Sequence, residues 1–170
     1  MKKLLLLFAL ATVSLVSAQT NKGSYVIETA VLANTSTPNT GLAYTSVDGG
    51  GKTFNIGING GYFVEKNLAV KAGVGYGESR LNQTSFGKTW AFRVGAEYSF
   101  TRNFPVEVAY AKVMTRDTLY QNPEFLSTQV GYNWFVSQNF GVKPLVRYDF
   151  ALTDYYENVL SLGVGFGYYF

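Results

Sequence analysis

Eight charged residues sit inside glycine-rich or apolar segments, where charge is costly without a purpose: Glu28, Lys71, Arg93, Glu97, Glu107, Lys143, Arg147 and Asp149. Glu97 and Glu107 flank a short polar break, so a hairpin would bring the two carboxylates together in the manner of a glycosidase pair, provided a substrate cleft lay between them. Basic residues of the same parity offer the other reading, structural ion pairing, and no further site feature favours catalysis. The sequence has no histidine, the commonest general base and metal ligand. It has no cysteine either, which removes disulfides, thiolate metal sites and a lipidated cysteine after an export leader. Serines are plentiful but lack a base partner. Gly73-Val-Gly-Tyr-Gly77 and Gly163-Val-Gly-Phe-Gly167 look like phosphate loops, yet neither leads from a strand into a helix. Catalytic, cofactor-binding and metal residues are therefore assigned as none, and the eight charges are assigned as one network.

The elements that must position this network follow an internal repeat. Tyr62-Phe-Val-Glu-Lys-Asn67-Leu-Ala-Val70, Tyr98-Ser-Phe-Thr-Arg-Asn103-Phe-Pro-Val106 and Trp134-Phe-Val-Ser-Gln-Asn139-Phe-Gly-Val142 align without gaps, 36 residues apart. Short polar breaks ending in Asn read as hairpin turns, so each unit is two strands with a tight turn at one end and a longer loop at the other. A helical repeat would show a period of about 3.6, which is missing, and four-stranded propeller blades would need longer units. The spacing predicts eight strands: Gly23 to Asn34, Lys52 to Val64, Asn67 to Ser79, Lys88 to Phe100, Asn103 to Thr115, Glu124 to Val136, Asn139 to Ala151 and Asn158 to Phe170. Thr35 to Gly51, Arg80 to Gly87, Arg116 to Pro123 and Leu152 to Glu157 read as loops. Pro144 lies well inside its strand, which predicts a bulge or local break there.

Parity assigns the faces. From the second strand onward the even positions carry the bulk, as in Phe54, Ile56 and Ile58 or Trp90, Phe92 and Val94, while the odd positions collect the charges, Asn55, Asn59, Gln129, Asn133 and most glycines. In the first strand Glu28 is placed with Ser24, Val26 and Ala30, opposite Tyr25, Ile27, Thr29 and Val31. A soluble barrel would turn the bulky face inward. An eight-strand interior cannot hold so many Trp, Phe, Tyr and Leu side chains, whereas glycines opposite Lys and Arg fit it. The polar face is thus the lumen and the bulky face meets lipid. Thirteen-residue strands at a tilt near ~40° rise about 30 Å, enough for an apolar band of about 25 Å. Aromatics toward the turns (Tyr62, Tyr98, Phe100, Phe104, Trp134, Phe140, Tyr168, Phe170) and toward the loops (Tyr76, Trp90, Tyr148, Phe150) are candidate interfacial girdles.

The N-terminus reads as an export leader: Lys2 and Lys3, an apolar run from Leu4 to Val16 too short to span a bilayer, and a small-residue site at Val16-Ser17-Ala18. This divides the chain into a signal peptide, 1–18, and a barrel domain, 19–170. Without Lys2 and Lys3 the 14 basic residues fall to 12 against 11 acidic, so the pI near 9.0 owes much to the leader and a nucleic-acid partner has no support.

A cleaved leader, eight alternating strands, a Gly-rich polar lumen and the last strand Asn158 to Phe170 together resemble the small outer-membrane β-barrel proteins, the OmpX-like and OmpA transmembrane-domain group. The resemblance implies an all-β, eight-stranded antiparallel up-and-down transmembrane barrel, multi-pass in the bacterial outer membrane. It also implies that Phe166, Tyr168 and Phe170 serve as a recognition signal for the barrel assembly machinery. With Phe170 as its last residue, the chain is expected to lack the periplasmic peptidoglycan-binding domain of OmpA. The expected partners are outer-membrane lipid, that machinery and a surface ligand reached through loops such as the first or Thr153 to Glu157. The expected role is non-enzymatic, with envelope integrity or surface interaction leading, a narrow solute pore as the alternative and a lipid-directed enzyme behind it.

Overall fold

The computed structural model describes residues 20–33, 40–46, 51–81, 84–115, 122–154 and 156–170. The leader and most of the Arg116 to Pro123 break lie outside them. The strands are β1 (Tyr25–Leu32), β2 (Ala43–Ser46), β3 (Gly51–Glu65), β4 (Leu68–Leu81), β5 (Thr84–Ser99), β6 (Pro105–Thr115), β7 (Glu124–Gly131), β8 (Trp134–Phe135), β9 (Phe140–Ala151) and β10 (Val159–Tyr169). From β2 to β7 sequential neighbours pair antiparallel, β9 pairs β7, β8 and β10, β1 pairs β10 from Val26↔Tyr169 to Leu32↔Gly163, and β1 also pairs β3 from Tyr25↔Tyr62 to Glu28↔Asn59. That last seam closes the sheet into a barrel. Eight staves form the wall, because β8 resumes β7 and β2 takes over from β1 beside β3.

Side chains alternate as parity requires. On β3 to β10, apart from residues 79–86 and Glu65 beyond its bulge, the even residues point outward and the odd residues inward, while on β1 Tyr25, Ile27 and Val31 are exposed and Val26, Glu28 and Leu32 are buried. Neighbouring aromatics on the outer face pack together toward the turns, as in Tyr98–Phe100 and Phe104–Tyr132, with centroids 5.2 and 5.0 Å apart. Toward the loops, Tyr76–Trp90 and Tyr148–Phe150 do the same at 5.3 and 4.5 Å.

Each repeat Asn does more than end a strand. Asn67 adopts φ 66°, the left-handed conformation that Asn tolerates in tight turns. Its carbonyl accepts from Ser99 N, as Asn103 O does from Asn133 N and Asn139 O from Tyr169 N. The side-chain amides of Asn103 and Asn139 then donate to the carbonyls of Asn133 and Tyr169 at 2.6 and 2.7 Å. These three turns are thereby stitched to the next stave along the rim.

Three sequence readings need correction. Arg80 to Gly87, expected as a loop, is largely strand, since β4 reaches Leu81 and β5 begins at Thr84 across a bulge at Ser79/Arg80. Thr35 to Gly51, also expected as a loop, contains β2, which pairs β3 from Ala43↔Asn55 to Ser46↔Lys52. Both misreadings have one cause: strand that extends beyond an apolar belt has no lipid-facing row to fill and need not show the alternation that marks a strand. The stave expected as continuous from Glu124 to Val136 is interrupted at Tyr132–Asn133, opposite Pro144. Tyr132 N donates to Pro144 O at 3.1 Å, but Pro144 has no N–H to return the bond, so the ladder opens in the neighbouring stave, while β9 itself runs unbroken through Pro144, where the break was expected.

Candidate functional site

Glu97 and Glu107 face each other on one rung of β5 and β6. Like charges directly opposite repel, so a cation between them is needed. Lys71 supplies it from β4, its Nζ donating to Glu97 Oε2 at 3.0 Å, to Glu107 Oε2 at 2.8 Å and also to Glu28 on β1. The room for this side chain comes from its cross-strand neighbours, Gly61 and Gly95. A Cβ on Gly61 would stand 2.9 Å from Lys71 Cγ.

Lys143 enters from β9 and donates to Glu28 Oε2 at 3.0 Å and to Glu97 Oε2 at 3.1 Å. Glu28, Lys71, Glu97 and Lys143 form a closed ring of alternating charge, and Glu107 links it to Arg93, whose Nε donates at 2.9 Å. Toward the loops Arg147 Nε donates to Asp149 Oδ2 at 3.0 Å, and Asp149 also accepts from Ser127 Oγ. All eight predicted charges are buried in the lumen, Lys71 at 3% exposure and Asp149 at 0%. Each such ion loses several kcal/mol of hydration, which multiple short contacts must offset.

Uncharged groups fill the space on either side. Toward the turns Val26, Phe63, Ala69 and Tyr169 form a buried apolar cluster with Phe135 against it, and the Phe135 and Tyr169 rings lie 5.3 Å apart. Arg102 sits 4.8 Å over the Phe135 ring. Toward the loops Thr40 returns into the barrel, donating from Oγ1 to Asn59 Oδ1 at 2.7 Å while its carbonyl accepts from Asn59 Nδ2 at 3.0 Å. Gly57 permits this crossing, because a Cβ there would fall 2.5 to 2.8 Å from Thr40 backbone atoms. Between these fillings a cavity of about 20 Å³ lies among Glu28, Thr40, Arg93, Gln129, Lys143 and Arg147, room for little more than one water.

Sequence reasoning placed the charges but not the apolar cap. Phe63 and Phe135 hold equivalent odd positions in two of the three repeats, and that recurrence on an otherwise polar face was the available signal. Thr40 carried none, since its place depends on a close approach to Gly57.

Chemically, the three carboxylates Glu28, Glu97 and Glu107 lie close enough to hold a cation, their ligand oxygens within 4.8 Å of one another. The Lys71 ammonium is that cation. Phe166 and Tyr168 lie on the outer face of β10, and the Phe170 ring packs 5.7 Å from Tyr25 and 6.2 Å from Tyr168. The backbones of Tyr25 and Phe170 exchange two hydrogen bonds of 2.6 and 2.9 Å, so Phe170 completes the seam with the first strand.

No family model and no curated protein matches the sequence. Solved structures do. The N-terminal β-barrel domain of Pseudomonas aeruginosa OprF superposes with a TM-score of 0.52 at 17% identity, covering 88% of this chain and 98% of that one. The outer membrane protein Ail of Yersinia pestis, in a phospholipid bilayer nanodisc, gives a TM-score of 0.53 at 13% identity, covering 88% of this chain and 100% of that one.

The fold is that of a small outer-membrane β-barrel. Its outward apolar face is therefore the face that such barrels turn to lipid, and the charged network occupies the lumen of a transmembrane architecture.

Proposed function

We propose that this chain is a non-enzymatic integral barrel of the bacterial outer membrane, exported by its leader and inserted through the barrel assembly machinery. Phe166, Tyr168 and Phe170 are the residues that machinery reads. The barrel's work is structural, contributing to envelope integrity or presenting its loops as an interaction surface. One observation carries this reading: the lumen is filled across its section by mutually neutralised side chains, four acidic and four basic, with apolar residues closing the turn end. Among the described residues the four lumen carboxylates are all buried.

The test is a clean deletion strain, scored for detergent sensitivity and for attachment to surfaces. Complementation with wild type should restore both. A version with the first loop shortened should restore detergent resistance while losing attachment if the loops carry the interaction; full rescue of both assigns the role to the barrel body. A deletion strain indistinguishable from wild type in both assays would contradict the proposal.

A further inference from the structure

The outer face is interrupted at one depth. Along β3 its residues run Phe54, Ile56, Ile58, Gly60, Tyr62, and nothing lies within 4 Å of where a Cβ on Gly60 would stand. The cross-strand neighbours of Gly60 are Ile27 and Ala72, so two adjacent staves are bare side by side. The result is an apolar groove of about 400 Å³, floored by Gly60, Gly61 and Ala72 and walled by Ile27, Val70 and Val94. Its turn end is bounded by Tyr25, Tyr62 and Phe170, with the Tyr62 and Phe170 rings 5.0 and 5.7 Å from that of Tyr25. Beyond these rings, in the turn between β3 and β4, lies the exposed Lys66, and exposed Lys22 donates to Glu65 at 2.6 Å.

We propose that this groove seats one acyl chain of a phospholipid from the leaflet at the turn end, with the phosphate beside Lys66 and Lys22. The inference rests on the reading that the barrel spans a bilayer. Three features select this occupant. The groove opens on the face already covered by lipid and runs from the aromatic girdle toward the belt, the direction in which a tail lies. Its walls are apolar, and an ordered tail would recover dispersion contacts that the missing side chains leave unmade. The turn that follows Tyr62 carries exposed Lys66, and Lys22 is paired there with Glu65, which leaves one net positive charge on that side of the groove for a phosphate. A second copy of the chain is the weaker occupant, since stable protein contacts bury about 1,200 Å² or more and the slot is only two staves wide.

The full chain is reconstituted into nanodiscs of phosphatidylethanolamine with a minor share of phosphatidylglycerol, extracted into mild detergent and weighed by native mass spectrometry. Wild type should retain a bound phospholipid, as should Val164→Leu on the outer face of β10. Gly60→Leu, which points into open space and leaves the wall intact, should retain roughly tenfold less, the equivalent of about two buried methylene groups. Lys66→Glu should lower retention by a smaller factor. Equal retention by wild type and Gly60→Leu overturns the proposal, and unchanged retention in Lys66→Glu overturns the headgroup placement. A wild-type dimer abolished by Gly60→Leu would give the groove to a second copy instead. Failure of the chain to enter the nanodisc would defeat the membrane reading itself, whereas insertion without retained lipid defeats only the groove.

Discussion

At the scale of single residues, the lumen is a set of charges that are tolerable only together. Glu107 accepts from Lys71 and Arg93 at 2.8 and 2.9 Å, so Glu107→Ala leaves two buried cations short of a partner. Breaking a buried pair in this way costs about 3 to 5 kcal/mol, measurable as a shift in urea unfolding from lipid vesicles. Adding Lys71→Ala should recover part of that loss, and a double-mutant cycle reads the coupling directly. Strict additivity of the two changes would contradict the network. The identities of these residues were legible because charge placed against parity has no other explanation in a narrow barrel. Their partners were legible only in part. That Lys71, Glu107 and Lys143 each lie four residues after a repeat Asn fixed a common layer, but the ring through Glu28 depends on closure of β1 against β3 and β10. Gly95 shows the limit of such reading. As a lumen glycine it predicts a simple packing perturbation on substitution, yet its Cβ would fall 2.5 Å from the Cβ of Ala109 and closer still to Val108 O, so Gly95→Ala must push β5 and β6 apart.

At the scale of elements, the alternation carries the strongest prediction. Val94 is 53% exposed on the outer face of β5 beside inward Arg93 and Gly95. Val94→Arg should therefore cost about 2 to 4 kcal/mol if it lies at the bilayer midplane, because a charge is moved into hydrocarbon. Folding into vesicles with wild-type stability would reverse the assignment of faces. At the rim, Asn139→Ala removes the 2.7 Å bond to Tyr169 O and should cost about 1 kcal/mol without changing topology, read from the same unfolding assay. The staves within the apolar belt were legible from their period of two. The far ends of β4 and β5 and the whole of β2 were not, since strand beyond the apolar belt need not keep that period. The break expected at Pro144 does not occur in its own strand, since β9 runs unbroken from Phe140 to Ala151; the gap falls opposite, at Tyr132–Asn133, where the missing donor is felt.

At the scale of the molecule, closure joins the first and last strands. Phe170 exchanges two backbone bonds with Tyr25 and stacks on its ring, so the terminal residue is both a seam and the proposed end of the assembly signal. Deleting Phe170, or replacing it with a charged residue, should lower the assembled fraction in outer-membrane preparations more than the same change at Asp154 in the last loop. Equal assembly of the two variants would remove the support for a terminal signal.

A closed lumen is the central claim, because it separates a structural barrel from a pore. Barrels with water-filled channels have about 16 strands or more, and eight leave an interior just wide enough for side chains to fill. Here the filling is a neutral charge ring, an apolar cap of Phe63, Phe135 and Tyr169, and Thr40 folded against Asn59, with a cavity of about 20 Å³ between them. Planar-bilayer recording of the purified wild-type protein tests this most directly. The expected result is a quiet membrane with no reproducible unitary steps, and large, stable, reproducible single-channel steps would contradict it.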